Sequence, residues 1–210
     1  MNKQTGKARK ELTAFGMNCT LKPGPEASST QKLLDQILRA MAKYDVEGSS
    51  VRVADHNVKT GVKADEGEGD EWPALRQNVL DANILVLASP IWMGQPSSVC
   101  KRVLERMDAF LDEIDEQGRY PTFGRVAVVA VVGNEDGAHH VTAELYQALA
   151  DVGFTIPGGS SAYWVGEAMG SVNYKDLDRT PKKLASTIKT LASNAAHLAA
   201  LLEEKPYPAP

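Results

Sequence analysis

Two stretches of the chain, "NILVLAS" (83–89) and "GRVAVVAVVGN" (124–134), carry apolar residues at successive positions rather than at every second one. A strand with one wet face alternates, so unbroken Val, Ala and Leu runs of this kind belong to strands covered on both sides. Parallel strands joined by helices meet that requirement, and the rest of the chain supplies the helices. "LTAFGMN" (12–18) predicts a first strand, after which Leu33, Leu34, Ile37, Leu38 and Met41 fall on one helical face. "SSVRVADHNV" (49–58) predicts a second strand, and Pro73 sits where the first turn of a helix tolerates proline. Val99, Val103, Met107 and Phe110 mark a helix after the third strand. Val141, Leu145, Leu149 and Val152 mark another after the fourth, closed by Gly153. A short fifth strand is expected near Phe154, Thr155 and Ile156, and a long amphipathic helix through Leu184, Ile188, Leu191, Ala195, Leu198 and Leu202. The fold class is α/β: a doubly wound five-stranded parallel sheet with helices on both faces. One domain over residues 11–204 is expected, with a flexible segment over 1–10 and a tail over 205–210.

Charge narrows the function. With 23 basic and 27 acidic residues among 210, the net charge is −4 and no basic stripe suggests a nucleic-acid partner. Cys19 and Cys100 form no C-x-x-C motif, and the four histidines have no metal-ligand spacing. The basic start "MNKQTGKARKE" precedes no apolar run of leader length, and no stretch reaches the roughly 20 apolar residues of a membrane span. A cytoplasmic protein without a membrane partner is expected. The acidic run from Asp65 to Glu71 reads as a solvated loop tip.

In doubly wound sheets ligands bind in the crevice outside the carboxyl ends of the strands. That rule singles out three loops. The first, "CTLKPGPEASSTQKLL", places Ser28, Ser29 and Thr30 at a helix start, where free N–H groups and the helix dipole favour an anion such as phosphate. An ordinary serine or threonine N-cap accounts for the same residues equally well. No Walker lysine and no G-x-G-x-x-G follows the strand, which argues against a nucleoside triphosphate or a dinucleotide held in the Rossmann manner. In the second loop, Trp92 beside Gly94 can cover one face of a flat conjugated ligand, or can be a core or interface residue. The third, "GNEDGAHH", offers donors from Gly133, Asn134, Glu135, Asp136 and Gly137, or a capped turn that needs no ligand.

The segment Ser89-Pro90-Ile91-Trp92-Met93-Gly94, followed by Ser97, Lys101 and Arg106, resembles the S-P-[VI]-[YW]-x-G turn and basic helix of the flavodoxin-like NAD(P)H-dependent FMN reductases. The resemblance runs from about Leu12 to about Met169 and points to the branch that holds the multimeric flavodoxins and iron–sulfur flavoproteins, here without the cysteine cluster. It implies a flavodoxin-like sheet, an FMN cofactor, NADPH or NADH as donor, and a small-molecule acceptor such as a quinone or another flavin. It also implies a homodimer or homotetramer. Ring contacts are expected from Pro90, Ile91, Trp92, Met93 and Gly94, and contacts to the pyrimidine edge from Gly133 to Gly137 with His140 nearby. Phosphate contacts are expected from Cys19, Lys22, Ser28, Ser29 and Thr30. The first loop departs from the compact S-x-R-x-x-[GS]-[NS]-T pattern of relatives. Cys19 stands for the leading serine, Lys22 for the arginine, and Pro23-Gly24-Pro25 stretches the spacing. The rival implication is a flavodoxin-type electron carrier that holds FMN without turning over NAD(P)H.

Overall fold

The computed structural model describes residues 11–208, so the flexible segment expected over 1–10 lies outside the described residues. In chain order the elements are β1 (Leu12–Asn18), α1 (Ser29–Met41), β2 (Val46–Arg52), α2 (Trp72–Asp81) and β3 (Ile84–Trp92). They continue through β4 (Gln95–Pro96), α3 (Ser98–Met107), β5 (Val126–Gly133), α4 (Ala138–Asp151), β6 (Ser161–Val165) and α5 (Lys182–Glu204). The main sheet has the order β2-β1-β3-β5-β6 and is parallel throughout; β4 pairs antiparallel with the end of β3 alone. This is the doubly wound order in which the first strand lies between the second and third.

The register explains the unbroken apolar runs. Ala14 faces Ile84 and Met17 faces Leu87 across β1 and β3, while Val86 faces Val128 across β3 and β5. Successive side chains point to opposite faces. Phe15, Met17, Leu85, Leu87, Ala127, Val129 and Val131 therefore pack under α2, α3 and α4, in a core joined by Trp72, Val103, Phe110 and Leu145. Ala14, Ile84, Val86, Ala88, Val128, Ala130 and Val132 pack under α1 and α5, with Leu34, Ile37, Ile188 and Leu191. Each fully buried aliphatic side chain contributes about 1.5–3 kcal/mol, so neither face of β3 or β5 tolerates a polar substitution. Among the described residues no helix is long and apolar enough to cross a membrane; α5 is buried along one side only.

Three elements differ from expectation. The second strand starts and ends earlier than residues 49–58, because all seven residues from Val46 to Arg52 pair with β1; Val53 and Val58 are buried in the following turn and loop instead. Thr155 makes only a single bridge to Val126, because Pro157-Gly158-Gly159 interrupts the chain before it re-enters the sheet as Ser161–Val165. The aromatic and β-branched content of "SAYWV" was the available strand signal. The acidic run is only partly solvated. The side chain of Asp70 is fully buried against Arg106, whose guanidinium also donates to the carbonyl oxygens of Lys59 and Lys63.

Candidate functional site

Strand ends and helix starts converge at the carboxyl edge of β1, β3 and β5. At the end of β1, the Asn18 side chain is fully buried; its Nδ2 donates to Gln31 Oε1 (2.7 Å) while its Oδ1 accepts from the Thr20 N–H (3.0 Å). That pair fixes the exit of β1 against the first turn of α1. Ser28 caps α1, accepting from the Gln31 N–H at 3.2 Å, and no acidic residue occupies the first turn. The positive end of the helix dipole is thus open towards the crevice.

β3 runs on to Trp92 and reverses through Met93 (φ 54°) and Gly94 (φ 73°), so that Ile91 pairs with Pro96 and Trp92 with Gln95. Two positive φ angles in succession are the geometry of a tight hairpin turn whose twist matches its strands. The hairpin holds the Trp92 side chain out of the core, 53% exposed. Gly94 meets the loop after β5. A Cβ on Gly137, which has φ 121°, would lie 2.7 Å from Gly94 Cα and 2.9 Å from its carbonyl oxygen. Only glycine permits that approach.

A serine network ties β1, β3 and α3 together behind this turn. Ser97 accepts from the Cys100 N–H (3.1 Å) as the cap of α3 and donates to the Cys19 carbonyl (2.6 Å), while its own N–H donates to Ser89 Oγ (3.1 Å). Cys19 is buried, and burial pushes its thiol above the ordinary range, with Cys100 beside it adding to the shift.

Between these elements lies a cavity of about 240 Å³. Its walls bring together Lys22, Ser28, Ser29 and Thr30 from the first loop, Pro90, Ile91 and Trp92 from the second, and Gly133, Asn134 and Glu135 from the third. Six of the expected site residues stand elsewhere. Cys19 lies behind the wall and Thr20 takes the rim position. Met93 is 89% exposed at the hairpin tip, Gly94 and Gly137 are packed on each other, and Asp136 lies outside the lining. His140 is on α4, where its Nε2 lies 3.0 Å from Gln95 Nε2 and 3.2 Å from Glu144 Oε1. Lys101 pairs with Glu144 at 2.7 Å, and Arg106 is consumed by Asp70.

The cavity also has a wall from the chain beyond β5, where the aromatic pair Tyr163 and Trp164 is expected from sequence to cover a flavin or nicotinamide and where Asn173 to Lys175 were not anticipated. Trp164 of β6 and the segment from Asn173 to Lys175 line it, with the Trp164 and Tyr174 rings 5.4 Å apart and tilted by 44°. The Lys175 N–H donates to Ser29 Oγ (3.1 Å), and the Lys32 ammonium donates to the carbonyl oxygens of Tyr174, Lys175 and Leu177. Tyr174 donates to Gln36 Oε1, and burial pushes its hydroxyl above the ordinary range. A larger hollow of about 680 Å³ lies between α1 and α5, lined by Arg39, Lys43, Tyr44 and Lys189, away from the strand ends.

The donor set of the cavity suits a flat ligand with an anionic tail. Hydroxyls, helix N–H groups and lysines share its lining with tryptophan and tyrosine rings. The description "NADPH-dependent FMN reductase" fits residues 15–169 of the chain. The chain belongs to the NADPH-dependent FMN reductase family. It is therefore a flavin-dependent oxidoreductase with the FMN and NAD(P)H chemistry of that family. Among individual proteins, it is 34% identical over 212 residues to the 8-demethyl-8-aminoriboflavin-5′-phosphate synthase of Streptomyces davaonensis, covering 93% of this chain and 80% of that one. It is 42% identical over 169 residues to the divalent metal cation transporter MntH of Mycobacterium bovis, but spans only 25% of that protein's length. The solved structure of RosB with bound 8-demethyl-8-formylriboflavin-5′-phosphate superposes with a TM-score of 0.83 at 31% identity, over 93% of this chain and 82% of the other. An NADH:FMN oxidoreductase in its apo form superposes at 0.62 with 18% identity, over 90% and 88%, which shows the shared fold.

Proposed function

We infer that this member of the FMN reductase family takes reducing equivalents from NADPH or NADH and passes them, at the cavity over β1, β3 and β5, to a small acceptor such as a quinone or a second flavin. The observation that supports this most is the meeting of the three strand-end loops at one cavity, with anion donors at α1 and exposed aromatic surface at Trp92. When bound there, FMN would supply the hydride-accepting and hydride-donating ring. The chain's own part is positional. Ser28, Ser29 and Thr30 with the first N–H groups of α1 would hold the phosphate, while Ile91 and Trp92 would lie along the ring. Asn134, whose Nδ2 donates to the Gly170 carbonyl (2.6 Å) and whose own carbonyl accepts from the Met169 N–H (2.7 Å), fixes the loop against the segment after β6. No general base is required of the protein for a hydride step. Trp92, Met93, Met169 and Val172 are exposed apolar residues on or near this rim, which supports a homodimer or homotetramer that covers them.

The test is a visible spectrum of the purified protein after incubation with FMN and desalting, then after anaerobic addition of NADPH or NADH. Retained flavin that bleaches supports the reductase; retained flavin that neither nucleotide bleaches makes the chain a carrier; no retained flavin sinks both.

The likeness to an aminoriboflavin-phosphate synthase favours a second reading, in which the flavin phosphate in this cavity is the molecule altered rather than the group that carries electrons. Mass spectrometry of the flavin recovered after turnover separates them. An unchanged mass supports the reductase, and a changed benzenoid ring supports the second reading.

A further inference from the structure

We propose that Lys175, on the segment between β6 and α5, is the cation that recognises the flavin 5′-phosphate, and that Lys32 is the positioning residue that holds it there. The proposal rests on the cavity being the flavin site and adds which residue reads the phosphate. It starts from an imbalance of charge at the first turn of α1. That turn holds no acidic residue and the positive end of its dipole faces the cavity. Lys32 lies in the same turn, where a cation is unfavourable on its own. All three of its ammonium protons have carbonyl acceptors, on Tyr174 (3.2 Å), Lys175 (3.2 Å) and Leu177 (2.7 Å). Among the described residues no carboxylate lies within ion-pair distance of it. The clamp brings a second cation to the same place, since the Lys175 N–H is bonded to Ser29 Oγ at 3.1 Å and the residue lines the cavity. A helix N-terminus and the Lys175 segment that Lys32 holds thus meet at the Ser29 hydroxyl, and an anion is the ligand that balances them.

The first loop offers a weaker alternative. Lys22 pairs with Glu26 (3.3 Å) four residues on, an exposed pair like that of Lys175, but its backbone is tied to Arg52, which spends one nitrogen on the carbonyl oxygens of Lys22, Pro23 and Glu26, and not to the α1 hydroxyls. Lys175 is held only by the neighbouring Asp176 at 3.2 Å, an exposed pair, and Asn173 Nδ2 holds the other oxygen of that carboxylate at 2.9 Å. An exposed pair of this kind contributes little, so the ammonium can turn to a phosphate.

Flavin fluorescence titration of the full chain with FMN and with riboflavin, which lacks the phosphate, tests the assignment without any turnover. Wild type is expected to prefer FMN. Lys175→Ala should weaken FMN binding about tenfold, the loss expected for one charge-assisted contact, and leave riboflavin unchanged. Lys32→Met should lower the same preference and add nothing to Lys175→Ala. Lys22→Ala should lower it less. If Lys175→Ala weakens both flavins alike or leaves the preference intact, or if Lys22→Ala alone abolishes it, the assignment is wrong. Wild type that binds both flavins equally also overturns it, whereas wild type that binds neither removes the flavin reading of the cavity as well.

Discussion

Two connections in this protein are each tied down by one cation that donates to backbone carbonyls, and they differ in what surrounds that cation. Arg106 holds the loop before α2. Its side chain is 0% exposed, it pairs with Asp70 at 2.7 Å, and its guanidinium lies 5.7 Å from the Trp72 ring centroid. Lys32 holds the segment from Tyr174 to Leu177, lies 5.3 Å from the Tyr174 ring, and has no such counter-ion among the described residues. The first arrangement is closed, with every charge answered inside the chain. The second is open, since no carboxylate among the described residues answers the Lys32 charge and the segment it holds lines the cavity. A closed pair is a structural device, and an unanswered charge beside a cavity is a place for a ligand.

The largest expected effect breaks the closed side. Arg106→Met should cost about 3–5 kcal/mol in urea unfolding, because it strands the Asp70 carboxylate and two carbonyl oxygens in the core. A loss below about 1 kcal/mol would mean that the pair is not buried in solution.

Acid should show the same pair from the other side. Burial works against ionisation of Asp70, but hydrogen bonds from Arg106 and from the Glu66, Lys59 and Trp72 N–H groups outweigh it and hold the carboxyl well below its ordinary 3.8. A carboxyl depressed in the folded state stabilises fully above its unfolded value and loses that contribution as pH falls through the folded one. The stability gap between wild type and Asp70→Asn should therefore be constant near neutrality and begin to close below about pH 4. A gap that instead widens in acid would reverse the sign of the shift.

Next in size is Gly137→Ala, which strains a left-handed position and drives a Cβ into Gly94. It should cost about 1–3 kcal/mol and loosen flavin retention, by displacing the Trp92 hairpin. Retention unchanged beside a normal loss of stability would separate the hairpin from the ligand.

Legibility in sequence follows the same division. The Ser89–Gly94 turn was readable because strand, turn and following helix are contiguous and each carries its own signal: an apolar run, a glycine, and a serine cap. The first-loop hydroxyls were readable for the same reason. Asp70 was misjudged because its partner lies 36 residues away, and a charge run alone does not show which member is buried. Lys175 was invisible because its contact with Ser29 spans 146 residues and depends on where the chain returns after β6, the strand whose position was also misplaced. Local pattern reveals a site's contiguous parts; parts supplied by a returning segment need the fold.

The smallest expected effect lies on the open side. Lys32→Met removes three donors to carbonyl oxygens but also relieves a cation in the first turn of a helix, two terms of opposite sign, so the net loss of stability should be only about 1 kcal/mol. The change should be local. Amide exchange should quicken at Lys175, Asp176 and Leu177, whose N–H groups bond to Ser29 Oγ and to the Asn173 and Tyr174 carbonyls. It should stay slow at Glu66 and Trp72, which bond to Asp70. If the FMN phosphate docks at Lys175, added FMN should slow exchange there in wild type more than in Lys32→Met. Equal quickening at both loops would show that the two cations serve the same structural purpose, and the contrast between them would fall.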